Sequence, residues 1–538
     1  GYGMSQGGNL YRWNLDSGEQ KVVMPDPPTA DIELRFNWNA ALAIDPFDPN
    51  TIYYGSQFVH RSHDRGQSWS TISPDLTSND PKMQTYKTSG GLTTDVTAAE
   101  NYTSIVAIAP SKLQRDVVWV GSDDGRVHIT RDGGGSWTRI DGKARGVSPG
   151  AWVPMISPSP HEADTAFVVF DDHRRSDMKP YIYRVEDHGN RWTRLSTDGM
   201  RGYALSVLQD PVDPDLLFAG TEFGLHVSID GGDSWSKFTA GLPTVSVMDM
   251  AIQERENDLV LGTHGRAAYV IDDYSGLRNL SVEDFESRLK ILSVSPGQQY
   301  NANQTPSTRF AGSGEFRADN EPYGVMLTFI ASGDDLSHPD KDAERARKIG
   351  LRKSKNNPGS KENEDESDKK DAKPAKLSVT VKDADGDTIR SYKTDVHQGI
   401  NRLLWSMQRD GIKPVSAGGD NNTGNGLPPG PMVLPGTYQV TLELGDSSAS
   451  IAVEVHKDPR SPYSIEELKA NYDTRMTIMG MRDTANTALR QIKTAREDVS
   501  TISKLIAAQM AEEEQESDAL KSQKKQPGDV KKGLNELE

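Results

Sequence analysis

Residues 228–235 read SIDGGDSW, and three other stretches are variants of that word. Residues 62–69 read SHDRGQSW and 130–137 read TRDGGGSW, while 185–192 read VEDHGNRW, with Val185 where the others carry a hydroxyl. Each word closes a longer unit, at 39–69, 104–137, 151–192 and 203–235. A unit runs through an apolar alternating stretch, a turn, a second apolar stretch, a polar turn and a third run before the word. The copy at 151–192 carries a longer middle loop, and residues 247–273 keep the runs but lose the word. The word's Trp residues are spaced by 68, 55 and 43 positions. Short strands repeating every 40–50 residues or so predict propeller blades of four antiparallel strands.

In such a blade the word is the turn between the third and fourth strands. Asp64, Asp132, Asp187 and Asp230 can accept backbone N–H bonds inside their own turn, helped by the hydroxyls of Ser62, Thr130 and Ser228. Gly66, Gly134, Gly189 and Gly232 supply a backbone angle that is costly for other residues. Trp69, Trp137, Trp192 and Trp235 offer a large apolar face for packing between blades. The copy with Val185 should be looser than its siblings.

This S/T-x-D-x-G-x-x-W pattern resembles the Asp-box, or bacterial neuraminidase repeat, of sialidases, sortilin and the two-propeller xyloglucan-cleaving glycoside hydrolases. With LVLGTHGRAAYVIDD at 259–273, the chain is most similar to large secreted bacterial proteins of the sortilin-like or glycosyl-hydrolase-like kind, over residues 1 to about 455. The resemblance implies a mainly β fold: an Asp-box β-propeller, partial in this chain, then an immunoglobulin-like β-sandwich and a C-terminal helical segment. It places the boxes on the blade periphery, as building devices, and implies a secreted, periplasmic or outer cell-surface location. About five blades are legible, with part of another in residues 1–30, and the missing blades are expected upstream.

The chain has 538 residues, no cysteine, and 78 Asp+Glu against 61 Lys+Arg, a net charge of −17. Disulfides and thiolate metal sites are thereby excluded, and the acidic balance disfavours nucleic acid and anionic membrane as partners. No apolar run reaches the length of a membrane span, and no signal peptide opens the sequence.

The expected domains are propeller blades at 1–275, a connector at 276–320, a β-sandwich at 321–458 and a helical tail at 459–538. The charged segment 334–376 reads as a disordered insert in the sandwich. DADGD at 383–387 reads as a hairpin turn, because Gly386 comes too early for a calcium loop. GGDNNTGNGLPPGP at 418–431 is a surface loop. In the tail, Ser464 and Glu467 form a capping box. Ala485, Leu489, Ile492, Ala495, Val499, Ile502 and Ile506 then make a narrow helical stripe, which suggests helix-mediated assembly through 464–510.

The turns between second and third strands share one face of a propeller with the blade-to-blade connections, including the excursion 70–103. There Asp124 and Glu222 are the candidate catalytic carboxylates for glycoside cleavage, which needs two such groups about 5–9 Å apart. Asp123, His264 and Arg266 are candidate ligand contacts. A sialidase would need an arginine triad, and no such motif occurs; nor is there a nucleophile elbow, HExxH or phosphate loop. The expected role is recognition of a peptide, protein or glycan, or a scaffold; glycoside hydrolysis is the alternative. No cofactor or metal is expected.

Overall fold

Every apolar run of the repeat becomes a strand. The computed structural model describes residues 1–82, 84, 101–278, 280–301, 322–355, 375–415, 426–512 and 532. The chain divides into two units, 1–280 and 281–538.

The first unit contains six antiparallel sheets among the described residues. Four are four-stranded meanders in chain order. The second sheet is Leu42–Asp45, Asp48–Gly55, Val59–Ser62 and Ser70–Thr71; the third is Ile105–Pro110, Val118–Ser122, Val127–Thr130 and Thr138–Arg139. The fourth is Trp152–Pro158, Ala166–Asp172, Asp177–Glu186 and Arg191–Arg194; the fifth is Ala204–Gln209, Leu217–Thr221, Gly224–Ser228 and Ser236–Lys237. The first sheet (Tyr2–Ser5, Asn9–Trp13, Gln20–Val22) and the sixth (Val247–Gln253, Asp258–Thr263, Ala268–Ile271) have three strands each.

The unit has no single central core. From the third sheet on, the first strand of each sheet packs against the first two strands of the sheet before it. Five apolar clusters result, each shared by two neighbouring sheets: Leu10 with Tyr54, Tyr53 with Ile105, Trp119 with Val153, Phe167 with Val207, and Phe218 with Val247 mark them in order. This radial stacking of meanders is the propeller architecture. The second strands Val118–Ser122, Ala166–Asp172 and Leu217–Thr221 are buried along their whole length, which is why they read as continuous apolar runs. Burying one such large side chain contributes roughly 1.5–3 kcal/mol.

The repeated word holds successive sheets together. In the third sheet Thr130 Oγ1 donates to Asp132 Oδ1 at 2.8 Å and accepts from Gly134 N at 2.9 Å. Ser136 donates to the same carboxylate through its N (2.8 Å) and Oγ (2.7 Å). The network repeats around Asp64 and Asp230. Gly134 has φ +98°, and a Cβ there would lie 2.7 Å from Ile72 O of the preceding sheet. Trp137 Nε1 donates to that same Ile72 O at 2.9 Å, and Trp69 Nε1 to Val23 O at 2.8 Å. Glycine allows the contact and tryptophan completes it. Two copies lack the inter-sheet bond: Trp192 Nε1 turns back to Gly189 O at 3.1 Å, and Trp235 Nε1 is buried without a partner.

The sixth sheet keeps only the Asp of the word. Asp273 stands five residues before Arg278, the spacing from Asp64 to Trp69. Its Oδ1 accepts from Ser275 N at 3.2 Å and Ser275 Oγ at 2.5 Å. Where Trp would stand, Arg278 reaches Asp210 of the fifth sheet through Nε (2.9 Å) and Nη2 (2.8 Å), and Tyr274 Oη donates to the same carboxylate at 2.6 Å. An ion pair replaces the aromatic latch, and a search keyed on Trp could not find it.

Among the described residues the second unit is a β-sandwich plus two α-helices. One sheet is Leu289–Val294, Val325–Ala331 and Gly399–Trp405. The other is Gly297–Gln298, Ser447–His456, Gly436–Leu444, Lys376–Lys382 and Thr388–Asp395. Phe329, Trp405, Val379, Val440 and Val453 fill the core between them. Two expectations are corrected. The connector 276–320 contains Leu289–Val294, a sheet strand whose partner lies more than thirty residues downstream, beyond any local signal. The insert 334–376 contains helix α1, Lys341–Lys355. Asp340 Oδ1 accepts from Asp342 N (3.0 Å) and Ala343 N (2.8 Å), and Glu344 pairs with Arg347 at 2.7 Å and Lys348 at 3.3 Å. Charge-pairing at i, i+3 and i, i+4 supports a helix without an apolar face.

At 383–387 the chain makes a hairpin turn, Asp383 Oδ1 accepting from Asp387 N at 2.9 Å. Helix α2, Ile465–Glu512, starts at the predicted capping box: Ser464 N donates to Glu467 Oε2 (2.8 Å) and Glu467 N to Ser464 Oγ (3.2 Å). It is anchored to the sandwich by Arg409 on Tyr472 Oη and by Asn486 and Arg490 on Lys413 O. Residues 83 and 85–100 of the excursion, 356–374 of the insert, 418–425 of the surface loop and the chain beyond 512, Lys532 aside, lie outside the described residues. No described helix is long and apolar enough to cross a membrane.

Candidate functional site

The end of the first unit opposite the repeated word is built from turns between second and third strands and from the residues that lead into each first strand. Gln57 and Thr221, both on that end, are buried and serve the backbone. Gln57 bridges Arg35 N (2.8 Å) and Glu33 O (2.9 Å), and Thr221 Oγ1 donates to Gly224 O at 3.0 Å.

Asp123 and Asp124 sit together in the turn of the third sheet. Asp123 is fully buried; it accepts from Asn37 Nδ2 at 2.8 Å and from Ser104 N at 2.9 Å. Burial, and then the neighbouring Asp124 charge, push its carboxyl well above the ordinary carboxylate range. Buried so, Asp123 positions the lead-in segments of the second and third sheets. Asp124 is half-buried, and both its oxygens are engaged, Oδ1 by Ser122 Oγ and Oδ2 by Ser78 N at 2.5 Å.

Glu222 lies on the equivalent turn of the fifth sheet, with the whole fourth sheet between it and Asp124. It packs over Gly202, and its charge, after burial, helps raise the Tyr203 phenol above its usual value. His264 and Arg266 stand exposed on the turn of the sixth sheet, which is held by His264 N on Ser246 O at 3.0 Å.

A group not anticipated from the sequence lies between the two carboxylates. The fourth sheet's second strand ends in Asp171 and Asp172, its turn continues with His173, Arg174 and Arg175, and Trp152 begins that sheet's first strand. Asp171 is buried; it accepts from His173 Nδ1 at 2.7 Å and from Arg174 Nη1 at 3.1 Å. The Arg174 guanidinium lies 3.6 Å above the centre of the Trp152 ring, and His173 stacks on Tyr203 with centroids 4.2 Å apart and planes 16° from parallel. Arg174 Nε is buried without a hydrogen-bond partner. Burial pulls the guanidinium below its ordinary value while Asp171 opposes the change, and it stays charged at physiological pH. Asp172 holds Arg175 at 2.6 Å. Joined through Asp171, the half-buried Trp152, His173, Arg174 and Tyr203 form a partly exposed surface, with the half-buried Asp124 and Glu222 on the turns to either side. Such a surface can stack on planar or apolar groups and donate hydrogen bonds; it contains no activated nucleophile. A run of five ionisable residues, DDHRR, directly after the apolar stretch AFVVF was the sequence signal for it.

No protein-family model matches the chain, and no curated protein matches it. Among solved structures similar to it is the GH74 xyloglucanase of Xanthomonas campestris, at 17% identity and TM-score 0.34, covering 50% of this chain and 44% of that one. PorZ, a bacterial surface component of the type-IX secretion system of Porphyromonas gingivalis, is similar at 12% identity and TM-score 0.35, covering 85% of this chain and 50% of that one. YCF48 bound to a D1 peptide is similar at 14% identity and TM-score 0.31, over 50% of this chain and 73% of that one. The chain spans less than half the length of the GH74 enzymes it matches. Similarities this faint carry no functional weight.

Proposed function

We propose that the first unit is a recognition module, binding a peptide or a protein segment on the surface formed by Trp152, His173, Arg174 and Tyr203, as part of a secreted or cell-surface binding or scaffold protein. The observation that carries this reading is the Arg174–Trp152 stack beside the His173–Tyr203 stack. Aromatic and arginine side chains are the residue types that dominate binding energy at interfaces. Asp124, by contrast, has both oxygens occupied by its own turn and its neighbour, which favours a structural role for it over general acid or base work.

Selection of a displayed random-peptide library on the protein tests the reading. Enriched peptides should lose at least about tenfold in affinity to Trp152→Ala and Arg174→Ala variants, as expected for removing one interface anchor. Binding unchanged in both variants overturns the assignment of the surface. Hydrolysis of xyloglucan that disappears in Asp124→Asn or Glu222→Gln would replace it with the glycosidase reading.

A further inference from the structure

The fourth sheet departs from its siblings at the end that carries the repeated word. In the second, third and fifth sheets the word's Asp is saturated by a hydroxyl two residues before it and by a Ser four residues after it. In the fourth sheet those places hold Val185 and Arg191, so Asp187 has neither donor. The register is nevertheless kept. His188 N donates to Asp164 O at 2.9 Å, as Gly133 N does to Asp116 O and Gly231 N to Asp215 O.

His188 brings an imidazole to a place where the third and fifth sheets have glycine. A carboxylate oxygen of Asp164, a carboxylate oxygen of Asp187 and a ring nitrogen of His188 all lie within 4.8 Å of one another. Thr165 Oγ1 lies 3.1 Å from Asp164 Oδ1 and 3.0 Å from Glu162 Oε2, its one proton shared between the two carboxylates. His188 Nε2 is closed off from solvent and has no hydrogen-bond partner, and a buried polar atom left so is costly unless something else satisfies it. Ligands bonded at about 2.0–2.2 Å to one ion lie up to roughly 4 Å apart, so a small inward movement of these side chains closes the site.

We propose that Asp164, Asp187 and His188 bind a divalent transition-metal ion, Zn²⁺ being the best fit. One imidazole nitrogen with two carboxylates suits a borderline ion, whereas Ca²⁺ and Mg²⁺ call for an all-oxygen shell. The ion ties the turn between the first two strands to the altered word, in place of the missing hydroxyl network.

The test is a Zn²⁺ titration of the full chain, freed of metal by dialysis against chelator and then of the chelator, followed by calorimetry at pH 7.5. One equivalent should bind, and His188→Ala, Asp187→Asn and the size-conserving Asp164→Asn should each weaken binding at least about tenfold, since even outer-shell changes cost that much. His456→Ala, at an exposed histidine of the second unit, should leave the titration unchanged. Circular dichroism without metal shows whether each variant is folded. Overturning results are a wild-type chain that takes up no Zn²⁺ at about 100 µM, where a site worth stabilising would fill, or folded variants that titrate like wild type.

Discussion

Asp123 and Asp132 lie nine residues apart at the two ends of one hairpin of the third sheet, and they meet opposite electrostatics. Asp132 stays in contact with solvent and accepts bonds from Ser136 and Thr130, which hold its carboxyl down at about 2. Asp123 is fully buried with fewer donors, and burial together with Asp124 drives its carboxyl up. The residue type is the same; donor count and desolvation decide the outcome. The end with surplus donors builds the sheet stack, and the end with surplus burial borders the surface read as the binding site.

Between the two ends lies His128, with His60 at the same place in the second sheet. Both rings are buried, and burial lowers each to about 4. Each is therefore neutral in the folded chain but charged below about 6.5 when unfolded. Their contribution is complete above pH 6.5 and is lost as pH falls towards 4, by about 3 kcal/mol per ring at most. In denaturant melts across that window, the stability of wild type minus that of a His60→Gln/His128→Gln variant should be greatest near pH 7 and fall steadily in acid. A gap that widens in acid would contradict the burial assignment.

A direct blow to the word should have the next largest effect. Gly134→Ala combines φ +98° with a Cβ 2.7 Å from Ile72 O, and should cost about 2–4 kcal/mol in urea unfolding. The opposite end can be probed by the sign of its pH dependence. The folded Asp123 keeps its proton to higher pH than the unfolded chain, so its contribution weakens as pH rises above about 3.8. Asp123→Asn removes that slope, and the stability of wild type relative to the variant should decline from pH 4 to 8. The smallest effect is a repair. Val185→Ser with Arg191→Ser restores both hydroxyls beside Asp187 and should raise stability by about 1 kcal/mol in metal-free buffer. No gain would mean that the hydroxyl network is not what distinguishes the full words from the altered one.

The strands and the word were legible because both are local: alternation sets the strands, and an Asp, a hydroxyl and a Gly within eight residues set the turn. What escaped depended on partners distant in sequence. Leu289–Val294 is a strand only because Val325–Ala331 lies beside it. Arg278 takes the place of Trp only because Asp210 waits across the seam. Helix α1 was hidden by the assumption that few apolar residues mean no structure, when that composition excludes only a core. At the candidate site, Asp123 and Glu222 were visible as turn carboxylates. Trp152 and Tyr203 each sit inside a strand or its lead-in and look like ordinary apolar residues until the sheets are stacked.

Because each apolar cluster of the first unit is shared by two adjacent sheets and by no third, cohesion here is a nearest-neighbour property. Damage at one seam weakens two blades and is felt by the others only through the chain. A fracture should therefore run along a seam rather than spread, and hydrogen exchange should resolve the unit into blocks bounded by seams. The seams between third and fourth and between fourth and fifth sheets, where neither Trp192 nor Trp235 donates a bond across, are the natural first lines of cleavage.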